Sequence, residues 1–215
     1  MSKITALRIG KGRKKRVNVF LDDRFAFSLE AEVVIKGGLQ VGQELSASQI
    51  EALAKSDHFH RCLNVATHYL GYRPRSEFEV RVRLQRRGFD DNTIGVVITR
   101  LKEQRLIDDM DFARFWKENR DAFSPRSQWL TRLELKQKGV TDDIIEEVVG
   151  TIDDGDSAYR AALSKARRLS RSDYQDFRHR LGEYLKRRGF GYGVINLTVE
   201  RVWEEREIAP DKILP

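Results

Sequence analysis

Three groups of side chains in this chain have the types and spacing to do chemistry. The first is His58-Phe-His60-Arg-Cys62. On a helix His58 and Cys62 share a face while His60 points elsewhere. At most two ligands result, against the four that a structural zinc site needs, so the residues read as incidental on a partly buried helix. The second group is carboxylate: Asp108, Asp109 and Asp111, then Asp142, Asp143, Glu146 and Glu147. A metal-dependent nuclease could use such groups. They fall at the starts of predicted helices, however, where they complement the positive end of the helix dipole. The chain holds no phosphate-cradling P-loop, no dinucleotide glycine fingerprint, no His-Glu-x-x-His and no paired cysteines. The expectation is a protein without catalytic activity, cofactor or metal.

The third group is cationic and points further. Residues 1–21 carry seven bases and no acid, with Lys14, Lys15 and Arg16 adjacent. Arg75, Arg81, Arg86 and Arg87 form a second set, Arg126 stands alone, and Arg167, Arg168, Lys186, Arg187 and Arg188 form a third. Arginines on a helical array can track a phosphate backbone, each neutralised phosphate adding salt-dependent affinity. These thirteen positions are the candidate binding residues. Tyr192 and Phe190 have rings that could stack on bases, although Phe89 and Val140 at the matching positions assign Phe190 to a core. The chain as a whole has a net charge of +7, unevenly placed: 108–156 is acidic at −6, and 61–107 and 157–215 are +5 each. Such alternation fits a protein that meets a polyanion with some surfaces and another protein with others.

What positions these cations is a segment that occurs three times. Leu84 to Ile94, Leu135 to Ile145 and Leu185 to Ile195 share a leucine four residues before a glycine, a base directly before it, an apolar residue after it and an isoleucine six beyond. The anchors Gly88, Gly139 and Gly189 are 51 and 50 residues apart. A unit of this size cannot bury an apolar face alone, so a modular, elongated array is expected rather than one enzyme core. After each glycine an amphipathic helix is signalled, as by Ile94, Val97, Ile98 and Leu101. The glycine then caps the helix before it in a tight turn. Phe78, Val80, Val82 and Leu84 alternate like a strand, but the other copies have helical spacing there and assign a helix. A further helix precedes each pair, at about 60–71, 109–122 and 157–169, which makes each copy a three-helix unit. Pro74-Arg75-Ser76 recurs as Pro125-Arg126-Ser127, and Ile107-Asp108-Asp109 as Ile152-Asp153-Asp154. The third copy lacks the Pro-Arg-Ser element.

The fold class is therefore mainly α: three tandem three-helix repeats preceded by a small module containing a β-hairpin. Strands are expected at 4–9, 16–21 and 24–28, with a turn at Asp22-Asp23, and Ser28 and Ser46 are candidate helix N-caps. The boundaries are 1–45 for the β module, 46–108, 109–156 and 157–207 for the repeats, and 208–215 for a tail. A single cysteine, Cys62, excludes an internal disulfide and suits a reducing compartment. No apolar run is long enough to span a membrane, so a cytoplasmic protein is expected.

Leu84-x-x-x-Gly88-Phe89, the stretch Leu106-Ile107-Asp108-Asp109-x-x-Phe112-Ala113 and Leu135-x-x-Lys138-Gly139-Val140 resemble the RecX family of recombination regulators. The resemblance covers roughly 60–205, and the β-rich segment before it looks like the N-terminal extension of longer members. It implies an elongated, curved, monomeric protein that lies in the groove of the RecA recombinase filament on DNA and inhibits its ATPase, strand exchange and coprotease activities. Non-specific single- and double-stranded DNA are the implied nucleic-acid partners. No residue-level contacts come with the family, so the candidate sites rest on charge clustering. The rival reading is a helix-turn-helix-like DNA-binding regulator that acts without RecA.

Overall fold

The computed structural model describes residues 1–10, 16–169 and 173–208. The chain begins with β1 (Ser2–Ile9), β2 (Arg16–Leu21) and β3 (Arg24–Glu30). After α1 (Ala31–Lys36) a two-residue strand, β4 (Glu44–Leu45), completes an antiparallel sheet in the order β3-β2-β1-β4. Asp22 and Asp23 both have positive φ, at 47° and 62°, the pair of left-handed residues that a tight hairpin matching the strand twist requires. Ser28 is not a helix cap. Pairing of Arg16 with Glu30 carries β3 two residues beyond it, and its hydroxyl donates to Asn18 Oδ1 at 2.5 Å. Ile4, Val19, Leu29, Val33, Leu39 and Leu45 form the core of this module.

Three three-helix copies follow among the described residues. The first has α2 (Ala47–Leu70), α3 (Glu77–Gln85) and α4 (Asp91–Glu103). The second has α5 (Asp109–Phe123), α6 (Gln128–Gln137) and α7 (Asp142–Val149), and the third α8 (Asp154–Ala166), α9 (Tyr174–Lys186) and α10 (Tyr192–Ile208). The expected helix at 60–71 starts thirteen residues early, at Ala47. Ser46 and Gln49 form a reciprocal capping box there, and the added turns carry Ile50 and Leu53 onto the sheet core. The alternating 78–84 stretch is helical, as the other copies indicate, with Val80 and Leu84 buried on one face.

The chain divides into two compact units. One comprises residues 1–73 and 80–106, the other 74–79 and the described residues from 107 on. Within the second unit the copies are joined by a repeated joint. Ser76 caps α3 by accepting from Glu79 N–H at 3.1 Å, and its hydroxyl donates to Lys138 O at 2.6 Å. One copy later Ser127 caps α6, accepting from Leu130 N–H at 3.1 Å, and its own N–H donates to Arg188 O at 3.1 Å. The Ile-Asp-Asp elements supply the other half. Their first aspartates, Asp108 and Asp153, cap α5 and α8. Their second aspartates reach back to the preceding copy, where Asp109 accepts from Glu77 N–H at 2.8 Å and Asp154 from Gln128 N–H at 2.7 Å. Thus Pro-Arg-Ser is the plug and the Lys/Arg-Gly turn the socket of each following copy.

The third copy differs at this joint: at the register of Ser76 and Ser127 it carries Phe177, fully buried with its ring 5.1 Å from Trp203. The glycine turns are alike in all copies. Gly88, Gly139 and Gly189 have φ of 81°, 75° and 84°. The residue after each donates back to the leucine carbonyl five positions earlier, the Schellman pattern that satisfies a helix C-terminus.

Candidate nucleic-acid interface

The structure sorts the candidate cations into two kinds. Lys14 and Lys15 lie outside the described residues. Arg16 holds the sheet to α2: its guanidinium donates to Ser28 O and pairs with Glu30 at 3.3 Å and Asp57 at 3.1 Å. Asp57 is itself buried and accepts from Glu30 N–H at 2.6 Å. Arg126 is half-buried and paired with Glu134, which also accepts from Trp116 Nε1 at 2.8 Å and Arg120 Nε at 2.9 Å. Burial, then the nearby charges of Arg120 and Arg188, lower the Arg126 pKa. Arg188 lays its guanidinium 4.0 Å over the Tyr184 ring, at the joint where its carbonyl receives Ser127. Arg16, Arg126 and Arg188 are thus occupied inside the protein. Replacing Glu134 by alanine leaves Arg120 and Arg126 half-buried without their shared carboxylate, and the expected loss is about 3 kcal/mol in urea unfolding. The same change at exposed Glu147, 3.3 Å from Arg114, is expected to stay within ~0.5 kcal/mol.

The remaining cations face water or sit at the surface edge. Arg86 and Arg87 are exposed at the end of α3, and Arg75 and Arg81 are half-buried on the same helix and the segment before it. In the first unit Arg87 lines a groove of about 680 Å³ with Arg61, Arg83, Tyr69 and Tyr72. The Arg83 guanidinium stacks 5.4 Å from the Tyr69 ring. In the second unit Arg167 and Arg168 are exposed in a 3-10 turn after α8, and Arg168 shares a groove of about 400 Å³ with Lys165, Arg180 and Arg187. Lys186 is exposed and 3.7 Å from Glu183. Arg61, Arg83, Lys165 and Arg180 were missed by clustering in sequence. Their signal is helical spacing across neighbouring helices, legible only once the helix pairs are known.

The acids and the histidine group have local duties. Asp108 caps α5, and Asp142 and Glu146 pair with Lys136 and Arg132. His58 meets Asp90 at 3.0 Å, and Asp90 caps α4 by accepting from Thr93. The Thr93 backbone and hydroxyl bonds, and more weakly His58, hold the Asp90 carboxyl down to about 2. Burial pushes the Cys62 thiol up to about 11. Among the described residues no three His, Cys, Asp or Glu side chains converge to hold a metal ion, and no helix is long and apolar enough to cross a membrane.

Plugs, sockets and glycine turns at a fifty-residue period are joined by a decisive comparison. Residues 2–46 match the Regulatory protein RecX N-terminal domain, 62–101 the RecX first three-helix domain and 108–149 the RecX second three-helix domain. The chain belongs to the RecX family. A Regulatory protein RecX from Clostridium botulinum (strain Eklund 17B / Type B) is 33% identical over 205 residues, 93% of this chain and 96% of the relative. One from Bacillus velezensis is 31% identical over 95% of this chain and 79% of its own. A crystal structure of regulatory protein RecX shares the fold at a TM-score of 0.67 and 24% identity, covering 93% of this chain and all of that one. RecX from Lactobacillus salivarius does so at 0.57, over 68% of this chain and 97% of its own. The β module, read from sequence as an extension of longer members, is a RecX domain in its own right.

Proposed function

We propose that this chain modulates the RecA recombinase by binding the RecA–DNA filament in its groove, and that it inhibits ATPase, strand exchange and coprotease activity without catalysis of its own. Membership of the RecX family supports the partner. The observation that carries the mode of binding is the pair of exposed basic ends, Arg86-Arg87 just after α3 and Lys186-Arg187 at the end of α9, each beside the turn glycine of its copy. Modest contacts linked in one chain raise each other's effective concentration. Inhibition then follows where the chain binds one filament state better than another. The helix-turn-helix rival is disfavoured by α7, whose exposed Asp142, Asp143, Glu146 and Glu147 would repel phosphates flanking a major groove.

The test is the ATPase rate of RecA on single-stranded DNA as this chain is titrated in, with binding to bare DNA measured at the same salt. Inhibition is expected well below the concentration that coats bare DNA. No inhibition, with tight binding to a duplex of particular sequence, would replace this reading by the DNA-binding regulator.

A further inference from the structure

The third copy differs from the second at one pair of positions that open a groove between α9 and α10. In the second copy Arg132 of α6 and Glu146 of α7 form a two-pronged ion pair at 2.9 and 2.7 Å across this place. The matching residues of the third copy, seven before and seven after its turn glycine, are Gly182 and Asn196; the first copy has Arg81 at the Gly182 register. A glycine inside a helix is unfavourable, and nothing in its packing demands one here. A Cβ would meet only Ile195 Cγ2, at an ordinary 3.7 Å. What the missing side chain leaves is a space of about 530 Å³.

The walls of that space have a definite chemistry. Phe190 and Ile195, both buried, make an apolar floor, and Arg178, His179, Lys186 and Tyr192 stand at the rim together with Glu183, which lies 3.7 Å from Lys186. No carboxylate among the described residues pairs with Arg178. Tyr192 is 73% exposed, and the neighbouring Asn196 and Arg178 lower its phenol pKa. An exposed aromatic ring beside two cations and an apolar floor suits a flat heteroaromatic group that carries a phosphate. We propose that this groove is a subsite for one unstacked nucleotide of single-stranded DNA, its base against Tyr192 and its phosphate between Arg178 and Lys186. The assignment rests on the DNA-binding part of the proposed function and gives the third copy a role that the first two do not share. An acidic peptide would use the cations but leave the exposed ring without purpose.

The experiment measures binding of a fluorescein-labelled dT 15-mer to the full chain, with Tyr192→Ala, Tyr192→Phe and Gly182→Arg beside the parent. Gly182→Arg restores the side chain of the other copies and fills the groove while adding a positive charge. Loss of about tenfold in affinity is expected for Tyr192→Ala and for Gly182→Arg, and less than about twofold for Tyr192→Phe, by the usual strength of base–aromatic stacking. Tighter binding by Gly182→Arg would mean that charge alone acts here and would overturn the subsite. Unchanged dT binding by Tyr192→Ala, an exposed change that leaves the core intact, would also overturn it. If that variant instead lost inhibition of the RecA ATPase, the groove would be a protein contact. Absence of ATPase inhibition by the parent chain, with the dT losses as expected, would sink the filament reading and leave the subsite standing.

Discussion

Gly139→Ala and Gly189→Ala each lower the unfolding free energy by about 3–5 kcal/mol, whereas Gly88→Ala lowers it by only ~1–2 kcal/mol. All three glycines turn left-handed, so any side chain carries the same backbone strain at each. The difference lies in what sits over the turn. A Cβ on Gly139 would lie 2.7 Å from Phe78 Cγ and closer still to its Cβ, and one on Gly189 would lie 2.6 Å from Ser127 Oγ and 2.7 Å from Leu130 Cβ. These neighbours belong to the helix start that plugs the turn from the preceding copy, and their nearest atoms are the stiff ones beside the backbone. Gly88 has nothing within 4 Å of the place a Cβ would take. Urea unfolding followed by circular dichroism compares the three variants. Equal losses at all three positions would show that the turn conformation alone matters and that the joints do not resist expansion.

Reversing Arg86, Arg87, Lys186 and Arg187 to glutamate together weakens binding to single-stranded DNA by roughly a hundredfold or more at low salt, and flattens the salt dependence. Each phosphate contact on a single strand contributes about 0.7 to the slope of log affinity against log salt, so four lost contacts remove roughly three. The four changes also move the whole chain from +7 to −1. A control with the same charge change is therefore Arg24, Lys36, Lys55 and Arg100, all exposed and none of them in the basic ends. The control keeps nearly the parent slope if placement matters, and an equal loss in both would reduce the interface to net charge. Arg188, next in sequence to Arg187, is left out deliberately. Its substitution strips the cation from Tyr184 at the joint and is read in stability rather than in affinity.

Arg187 and Arg188 show where sequence reading stops. As a run of bases before a glycine they are indistinguishable, yet one is exposed and the other is packed on a ring at the contact between copies. The same holds for Arg16 and Arg126, whose acidic partners are chosen by folding: Asp57 is 41 residues from Arg16. By contrast the Schellman turns, the caps at Ser46, Asp108 and Asp153 and the helical stripes are all encoded within a few residues, so the period, the three-helix copies and the hairpin were legible from the order of side chains.

By itself, then, the sequence determined the local conformations and their repetition, because caps, turns and amphipathic stripes are set by neighbours within one or two helical turns. Only the tertiary structure decided which glycines are indispensable, which arginines are free to meet a polyanion, and that the third copy opens a groove where the second is closed. Those outcomes depend on pairs such as Ser76 with Lys138, 62 residues apart. No short-range pattern carries them: what touches what across such a distance is settled by packing the copies against one another.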